Sequence, residues 1–312
     1  MTMEQQHKLG SGFGAHSTAR DVLAGIDLTG KSALVTGGYS GLGLAGVRAL
    51  AEAGARVVVP ARRPEVARDA LRDVPGAVVG ELDLGDQESV RVFSDHLLAD
   101  GRAFDIVITN AGIMACPETR VGPGWEAHFA TNHLGHFTLV NRLRPLLADG
   151  ARVVSVASSG HFLSGIRWDD LQFRDGYDRW LAYAQSKTAN ALFAVQLNAL
   201  GVRAFAVHPG SILTPLQRHV PREEQIAQGW MSEDGTPVEG FKTPEQGAAT
   251  AVWAATSPLL DGLGGLYAQD CDVAEPATGD DMLVGGVKPW AVDPDDAARL
   301  WDVSADLTGQ GA

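Results

Sequence analysis

The sequence predicts a doubly wound α/β fold, a parallel sheet with helices on both faces. From Ser32 onward, short β-branched apolar runs alternate with longer stretches of helical period. The runs are apolar throughout rather than alternating with polar residues, as strands covered on both faces are. A glycine-rich turn directly follows the first run and opens a helix.

In order, strands are expected at Ala33 to Thr36, Arg56 to Val59, Ala77 to Gly80, Asp105 to Thr109, Arg152 to Val156 and Arg203 to Val207. Helices are expected to begin near Gly41, Pro64, Gln87, Trp125 and Leu181, and another to run from Pro244 to Thr256. Parallel neighbours need crossovers of this length. The main domain is read as residues 28–274, with an N-terminal extension over 1–27 and a C-terminal extension over 275–312 that packs on the same domain. Two regions break the rhythm: Ser158 to Trp180, and the polar stretch Ile212 to Lys242 with Trp230 and Met231. The second is read as a substrate lid, with a plain surface loop as the alternative.

At 312 residues, 45% hydrophobic and 20% charged, the chain can bury a sizeable core without metal or disulfide staples. A formal net charge of -13 disfavours nucleic acid and anionic membrane surfaces and suits a small neutral or cationic substrate. Cys116 and Cys271 stand far apart in no metal-ligand spacing, which points to reduced thiols. Met1 to Arg20 has no apolar signal core, and no apolar run approaches the ~18 residues of a membrane span. These observations predict a cytoplasmic protein with no membrane partner.

Thr36, Gly37, Gly38, Tyr39, Ser40, Gly41, Leu42 and Gly43 lie between the first strand and its helix. Glycines there let the backbone turn tightly and approach a pyrophosphate, whose charge meets amide N–H groups at the helix N-terminus. The alternative is a tight turn without a ligand. The end of the second strand reads Val59, Pro60, Ala61, Arg62, Arg63. No carboxylate is offered to a ribose diol, and Arg62 can pair with a 2′-phosphate, so NADP(H) is expected over NAD(H); otherwise both arginines are solvated surface charges.

Tyr183 and Lys187 stand four apart at the start of a helical pattern, which places phenol and ammonium on one face. A neighbouring cation favours the phenolate, so the pair is a candidate acid–base device.

With Gly37, Gly41 and Gly43, the runs Asn110–Ala111–Gly112 and Asn132 to Phe137, and Tyr183 to Lys187 in one order, the sequence resembles the short-chain dehydrogenase/reductase family, in particular its retinol-dehydrogenase-like members. The resemblance runs from about Leu28 to about Pro215 and fades towards Ala274. It implies a Rossmann fold and an NAD(P)(H)-dependent oxidoreductase interconverting a carbonyl and an alcohol by hydride transfer. It also implies that Tyr183 is the acid–base residue, that Lys187 lowers its pKa and binds the nicotinamide ribose, that Ser158 holds the reacting oxygen, and that Asn132 helps order a water path. Ser158 is taken over Ser159 because of its distance from Tyr183, and Ala157 stands where relatives often have a first serine. For the cofactor the resemblance implies Tyr39, Ser40 and Leu42 beside the glycines, Asp83 and Leu84 near the adenine, and Asn110, Ala111 and Gly112 along the cleft. Pro209, Gly210, Ile212 and Thr214 would meet the nicotinamide carboxamide. Asp83 and Thr214 read equally well as a cap or turn.

His133 and His136 share a helix but match no zinc signature, so no metal is expected. Two other readings keep the nucleotide: a regulator that senses the NADP(H) ratio, and an enzyme that uses the cofactor for epimerisation or dehydration. Phe162, Trp168, Trp180, Trp230 and Met231 are candidates for an apolar substrate pocket or for packing anchors. The resemblance also implies a homo-oligomer, dimer or tetramer, paired through the helices read at Trp125 to Leu147 and Leu181 to Leu200.

Overall fold

The apolar runs form strands because each residue has a core to enter on one face or the other. In the computed structural model, which describes residues 3–311, they are β1 (Ser32–Val35), β2 (Arg56–Ala61), β3 (Ala77–Glu81), β4 (Phe104–Thr109), β7 (Leu147–Val156) and β8 (Ala204–His208). Two short strands, β9 (Tyr267–Gln269) and β10 (Asp272–Val273), complete an eight-stranded sheet in the order β10-β9-β8-β7-β4-β1-β2-β3. All pairings are parallel except that of β10 with β9. Leu34, Val107 and Val153 face one core, while Ala33, Val35, Ile106, Ile108, Val154 and Val156 face the other. This period of two with no polar side explains the unbroken apolar strands.

The first core is covered by α4 (Gln87–Asp100), α5 (Gly135–Leu143) and α6 (Arg179–Ala199). The second lies under α1 (Ala19–Val22), α2 (Gly41–Glu52) and α8 (Pro244–Thr256). The short α3 (Pro64–Ala70) connects β2 to β3. Helix starts follow capping chemistry: Asp86 caps α4, Asp178 accepts from the amides of Trp180 and Leu181 at the start of α6, and Thr243 with Gln246 forms a capping box on α8.

One expected element differs. The helix read from Trp125 does not begin there, because Gly122 and Gly124 adopt positive φ and close a hairpin of β5 (Arg120–Val121) and β6 (Trp125–Glu126). The chain then winds as a π-helix over Phe129–Leu134 before α5. Such a wide turn is rare and concentrates at functional sites.

The C-terminal segment returns as α9 (Pro294–Thr308) against α6. Trp301 sits edge-on to Phe137 at 4.8 Å and stacks on Phe193 at 6.0 Å between ring centroids. α9 therefore packs on α5 and α6, the helices through which pairing was expected. The N-terminal segment is tied down too: the amides of Leu9, Gly10 and Ser11 donate to the buried Asp272 carboxylate at 2.8, 3.0 and 3.2 Å. Among the described residues no helix is long and apolar enough to cross a membrane.

Candidate active site

The carboxyl ends of β1, β2, β3 and β4 open on one cleft of about 450 Å³, lined by the glycine turn, by Arg62, Asp83 and Leu84, by Asn110 to Ile113, and by Thr214. That size and position, beyond the strand ends of an open sheet, are those of a ligand site. The backbone there is pressed too close for side chains. A Cβ on Gly43 would stand 2.4 Å from the Gly37 carbonyl oxygen, and one on Gly37, whose φ is +66°, would stand 2.9 Å from Asn110 Nδ2. Ser40 precedes α2 in extended conformation without a side-chain cap, so the first-turn amides are left for another acceptor. The cradle fits a dinucleotide pyrophosphate.

A hydrogen-bond chain the sequence did not disclose holds the cleft's inner wall. Thr36 Oγ1 accepts from the amides of Asn110 and Ala111, both at 2.9 Å, and Asn110 Nδ2 returns a bond to the Thr36 carbonyl. Burial pushes His136 down to about 4, leaving a neutral ring with one proton. Its Nδ1 lies 2.9 Å from the Asn132 carbonyl, which can only accept, so Nδ1 carries that proton. Nε2 then accepts from Thr36 Oγ1 at 2.9 Å. The π-helical segment, the end of β1 and the Asn110 turn are thus one rigid unit.

Past Gly112 the cleft meets the predicted catalytic group. A Cβ on Gly112 would lie 3.1 Å from Asn132 Oδ1 and 3.8 Å from Lys187 Nζ. The Asn132 side chain is fully engaged: Oδ1 accepts from the Ile113 amide at 2.9 Å, and Nδ2 donates to the Ile113 carbonyl at 3.0 Å and to Ser186 Oγ at 2.9 Å. Tyr183 is buried on α6, with Lys187 one turn on. Lys187 Nζ donates to the Val156 carbonyl at 2.9 Å and stands 5.7 Å from the Tyr183 ring centroid. Burial pushes the phenol up to about 12, opposed only by the Ser158 hydroxyl, and pushes the Lys187 ammonium down to about 8. The expected lowering of the phenol by Lys187 is not seen, because the ammonium is turned to the Val156 carbonyl and desolvation outweighs it.

Ser158, and not Ser159, is the serine beside Tyr183: a Cβ built on Gly160 would lie 3.1 Å from Tyr183 Cε1 and 3.5 Å from Ser158 Oγ. Ser159 instead donates its amide to His208 Nδ1. His161 bonds the Ser158 carbonyl through Nδ1 at 2.7 Å and accepts from the Lys288 amide at 3.1 Å, so the C-terminal extension steadies the serine turn.

Several sequence-predicted residues stand elsewhere. Ile212 packs toward Gly247 on α8, and Gly210 lies under the Lys242 side chain. Asp83 and Thr214 line it and also serve as local caps, Asp83 accepting from the Gly85 amide and Thr214 from the Leu216 amide. Of the aromatic candidates, Trp180 and Trp230 meet edge-on at 5.8 Å and pack, with Leu216, against a cluster of Met114, Ala115, Tyr183 and Val220. Trp168 instead sits under the Arg299 guanidinium, Phe162 faces Lys288, and Met231 pairs with Pro237 in a turn. Behind Tyr183, buried Glu126 bonds His128 Nδ1 at 2.7 Å, and His128 Nε2 lies 3.4 Å from Cys116 Sγ. Burial opposes its charge, but Cys116 and Glu126 raise His128 to about 9.

A nucleotide cleft at the strand ends, opening on a buried tyrosine, serine and lysine, defines an NAD(P)-dependent oxidoreductase that interconverts a carbonyl and an alcohol. The chain belongs to the short chain dehydrogenase family, whose sequence profile matches residues 31–225. It is similar to a Streptomyces lividans protein named probable oxidoreductase, 45% identical over 92% of this chain and 100% of that one. Human retinol dehydrogenase 11 is 36% identical over 91% of this chain and 87% of its own. A crystal structure from Mycobacterium paratuberculosis superposes with TM-score 0.73 at 34% identity, covering 95% of this chain and 98% of that one. The Pseudomonas aeruginosa RhlG/NADP active-site complex superposes with TM-score 0.59 at 26% identity over 78% of this chain and 95% of that one.

Proposed function

We propose that the protein is an NADP(H)-preferring carbonyl reductase for small apolar ketones or aldehydes, with Tyr183 as the acid. The observation that carries this reading is the convergence of Tyr183, Ser158 and Lys187 at the inner end of the glycine-lined cleft. When bound, the nicotinamide cofactor supplies the hydride in reduction and takes it up in oxidation. Ser158 Oγ holds the substrate oxygen, and the Tyr183 phenol gives its proton to the alkoxide as charge develops there. A phenol pushed up to about 12 is fully protonated at neutral pH, so the site is set for reduction. Lys187 spends one N–H on Val156 and has donors to spare for a ribose. Asn132 acts by holding the Ile113 peptide, which fixes the wall between cleft and acid.

The preference for NADP(H) is supported by Arg62 and Arg63 at the end of β2, joined by Arg218, all lining the cleft where an NAD(H) site would offer a carboxylate. Met114, Val220, Trp180 and Trp230 around Tyr183 favour an apolar substrate. Residues 28–274 form the catalytic unit in this reading, residues 212–242 its lid, and 275–312 a brace for the Ser158 turn. Two free, buried thiols suit the cytoplasm. A homo-oligomer would pair through a surface other than α5 and α6.

Oxidation of NADPH and of NADH is followed against a panel of ketones and aldehydes. Turnover of apolar carbonyls with at least tenfold lower KM for NADPH is expected. No net cofactor oxidation with any carbonyl would refute the reading, and equal use of NADH would refute the preference.

A further inference from the structure

The lid contributes a cation to the nucleotide cleft. Arg218 lies in the single turn of 3-10 helix Pro215–His219, between Leu216 and Val220, and lines the cleft together with Arg62 and Arg63. The three guanidinium groups come from the end of β2, the start of α3 and the lid. Among the described residues none of them has a carboxylate partner; Arg218 makes one side-chain bond, to the Pro215 carbonyl at 3.1 Å. The one acidic residue lining the cleft, Asp83, turns an oxygen to the Gly85 amide. Burial, with the charges of Arg62 and Arg63, holds the Arg218 guanidinium below its ordinary value. Three like charges facing one cleft repel one another, and an anion seated among them relieves that repulsion.

We propose that Arg218 is a latch, so that a 2′-phosphate held by Arg62 and Arg63 engages Arg218 and fastens the lid over the substrate pocket. The same turn carries Leu216 and Val220 on either side of the arginine, and both pack in the apolar cluster with Tyr183. Its root is already seated, since Thr214 touches the glycine turn: a Cβ on Gly41 would stand 3.1 Å from Thr214 Cγ2. The lid is also tied to α6 by the Arg179–Glu224 ion pair at 2.5 Å and by Trp230 against Trp180 at 5.8 Å, and none of these residues lines the cleft. A ligand shifts a conformational equilibrium only by its differential affinity for the two states. A 2′-phosphate has that differential interaction through Arg218, and a bare ribose hydroxyl does not. Cofactor identity would thereby be read twice, once by affinity and once by assembly of the pocket around Tyr183. This inference rests on the NADP(H) reading but is separable from it.

The test compares 2′-phospho-ADP-ribose with ADP-ribose, neither of which can react, by calorimetric affinity and by amide hydrogen exchange over residues 212–242. In the unaltered protein the phosphorylated ligand, at saturation, is expected to slow exchange in this segment at least tenfold more than ADP-ribose does. Arg218→Gln should remove that difference while retaining part of the affinity preference through Arg62 and Arg63. Arg222→Gln, in the same lid but bonded to the Glu233 carbonyl outside the cleft, should leave the difference intact. Equal lid protection by both ligands, or a difference that survives Arg218→Gln, overturns the latch while an affinity preference for the phosphorylated ligand still stands. Equal affinity for the two ligands overturns the NADP(H) reading and the latch together.

Discussion

Thr36→Val isolates the hydrogen-bond chain behind the cleft, because valine keeps the shape of threonine and deletes one oxygen. That oxygen accepts from the Asn110 and Ala111 amides and donates to His136 Nε2. Leaving two half-buried donors unpaired costs at most about 1–3 kcal/mol each, so the loss is up to about 2–6 kcal/mol. For a chain of 312 residues this corresponds to a fall in Tm of roughly 3–9 °C. Because the freed amides belong to the wall that lines the nucleotide cleft, affinity for NADPH should fall at least tenfold as well. Calorimetry gives the first quantity and a fluorescence titration the second. His136→Leu removes the far end of the same chain, so the double variant should lose less than the sum of the two single losses, by about 1 kcal/mol or more. A Tm within 1 °C of the unaltered protein, or strict additivity with His136→Leu, would refute the network.

Other consequences are equally direct. Gly43→Ala drives a methyl group into the Gly37 carbonyl, and dinucleotide affinity measured by titration should drop more than tenfold with the fold's circular dichroism preserved. With Lys187 titrating near 8 and Tyr183 near 12, kcat/KM for reduction should be level below pH 8 and decline above it. The reverse reaction should climb about tenfold per pH unit below 8 and flatten above; reduction that accelerates from pH 7 to 9 would contradict these assignments. His133, His136, His161 and His208 are held neutral by burial, at about 3, 4, 4 and 3. Their folded values lie below the ordinary one of about 6.5, so their contribution is complete above that pH and is lost as pH falls towards the folded values. Below about pH 6.5 the unfolding free energy should therefore fall by up to about 1.4 kcal/mol per pH unit for each histidine, lowering the urea midpoint between pH 7 and 5, and an unchanged midpoint would contradict their burial as neutral rings. His128 runs the other way, its contribution fading as pH rises from about 6.5 through about 9.

Strands β1 to β4, β7 and β8 were legible because burial on both faces leaves continuous apolar runs; the helices opened by Pro64, Gln87 and Pro244 announced themselves by proline or capping chemistry, and the one opened by Gly41 by its glycine turn. The helix at Trp125 misled because a two-residue hairpin turned by Gly122 and Gly124 has too little periodicity to interrupt the apolar pattern that follows. β9 and β10 are three and two residues long and carry no pattern at all. The glycine turn and the Tyr183–Lys187 pair were legible because their spacing is local, whereas Ser158 came from the family resemblance. Arg218, His136 and His161 were not, since each acts on residues distant in sequence: His136 on Thr36, His161 on Lys288, and Arg218 on Arg62.

The whole account turns on one oxygen, the Tyr183 phenol, and Tyr183→Phe removes it while leaving the ring in its pocket. Single-turnover reduction with saturating NADPH should slow by about 10²–10⁴-fold, with NADPH dissociation constants unchanged within a few-fold. A variant that reduces its substrate at the parental rate would contradict the assignment of the proton to this residue.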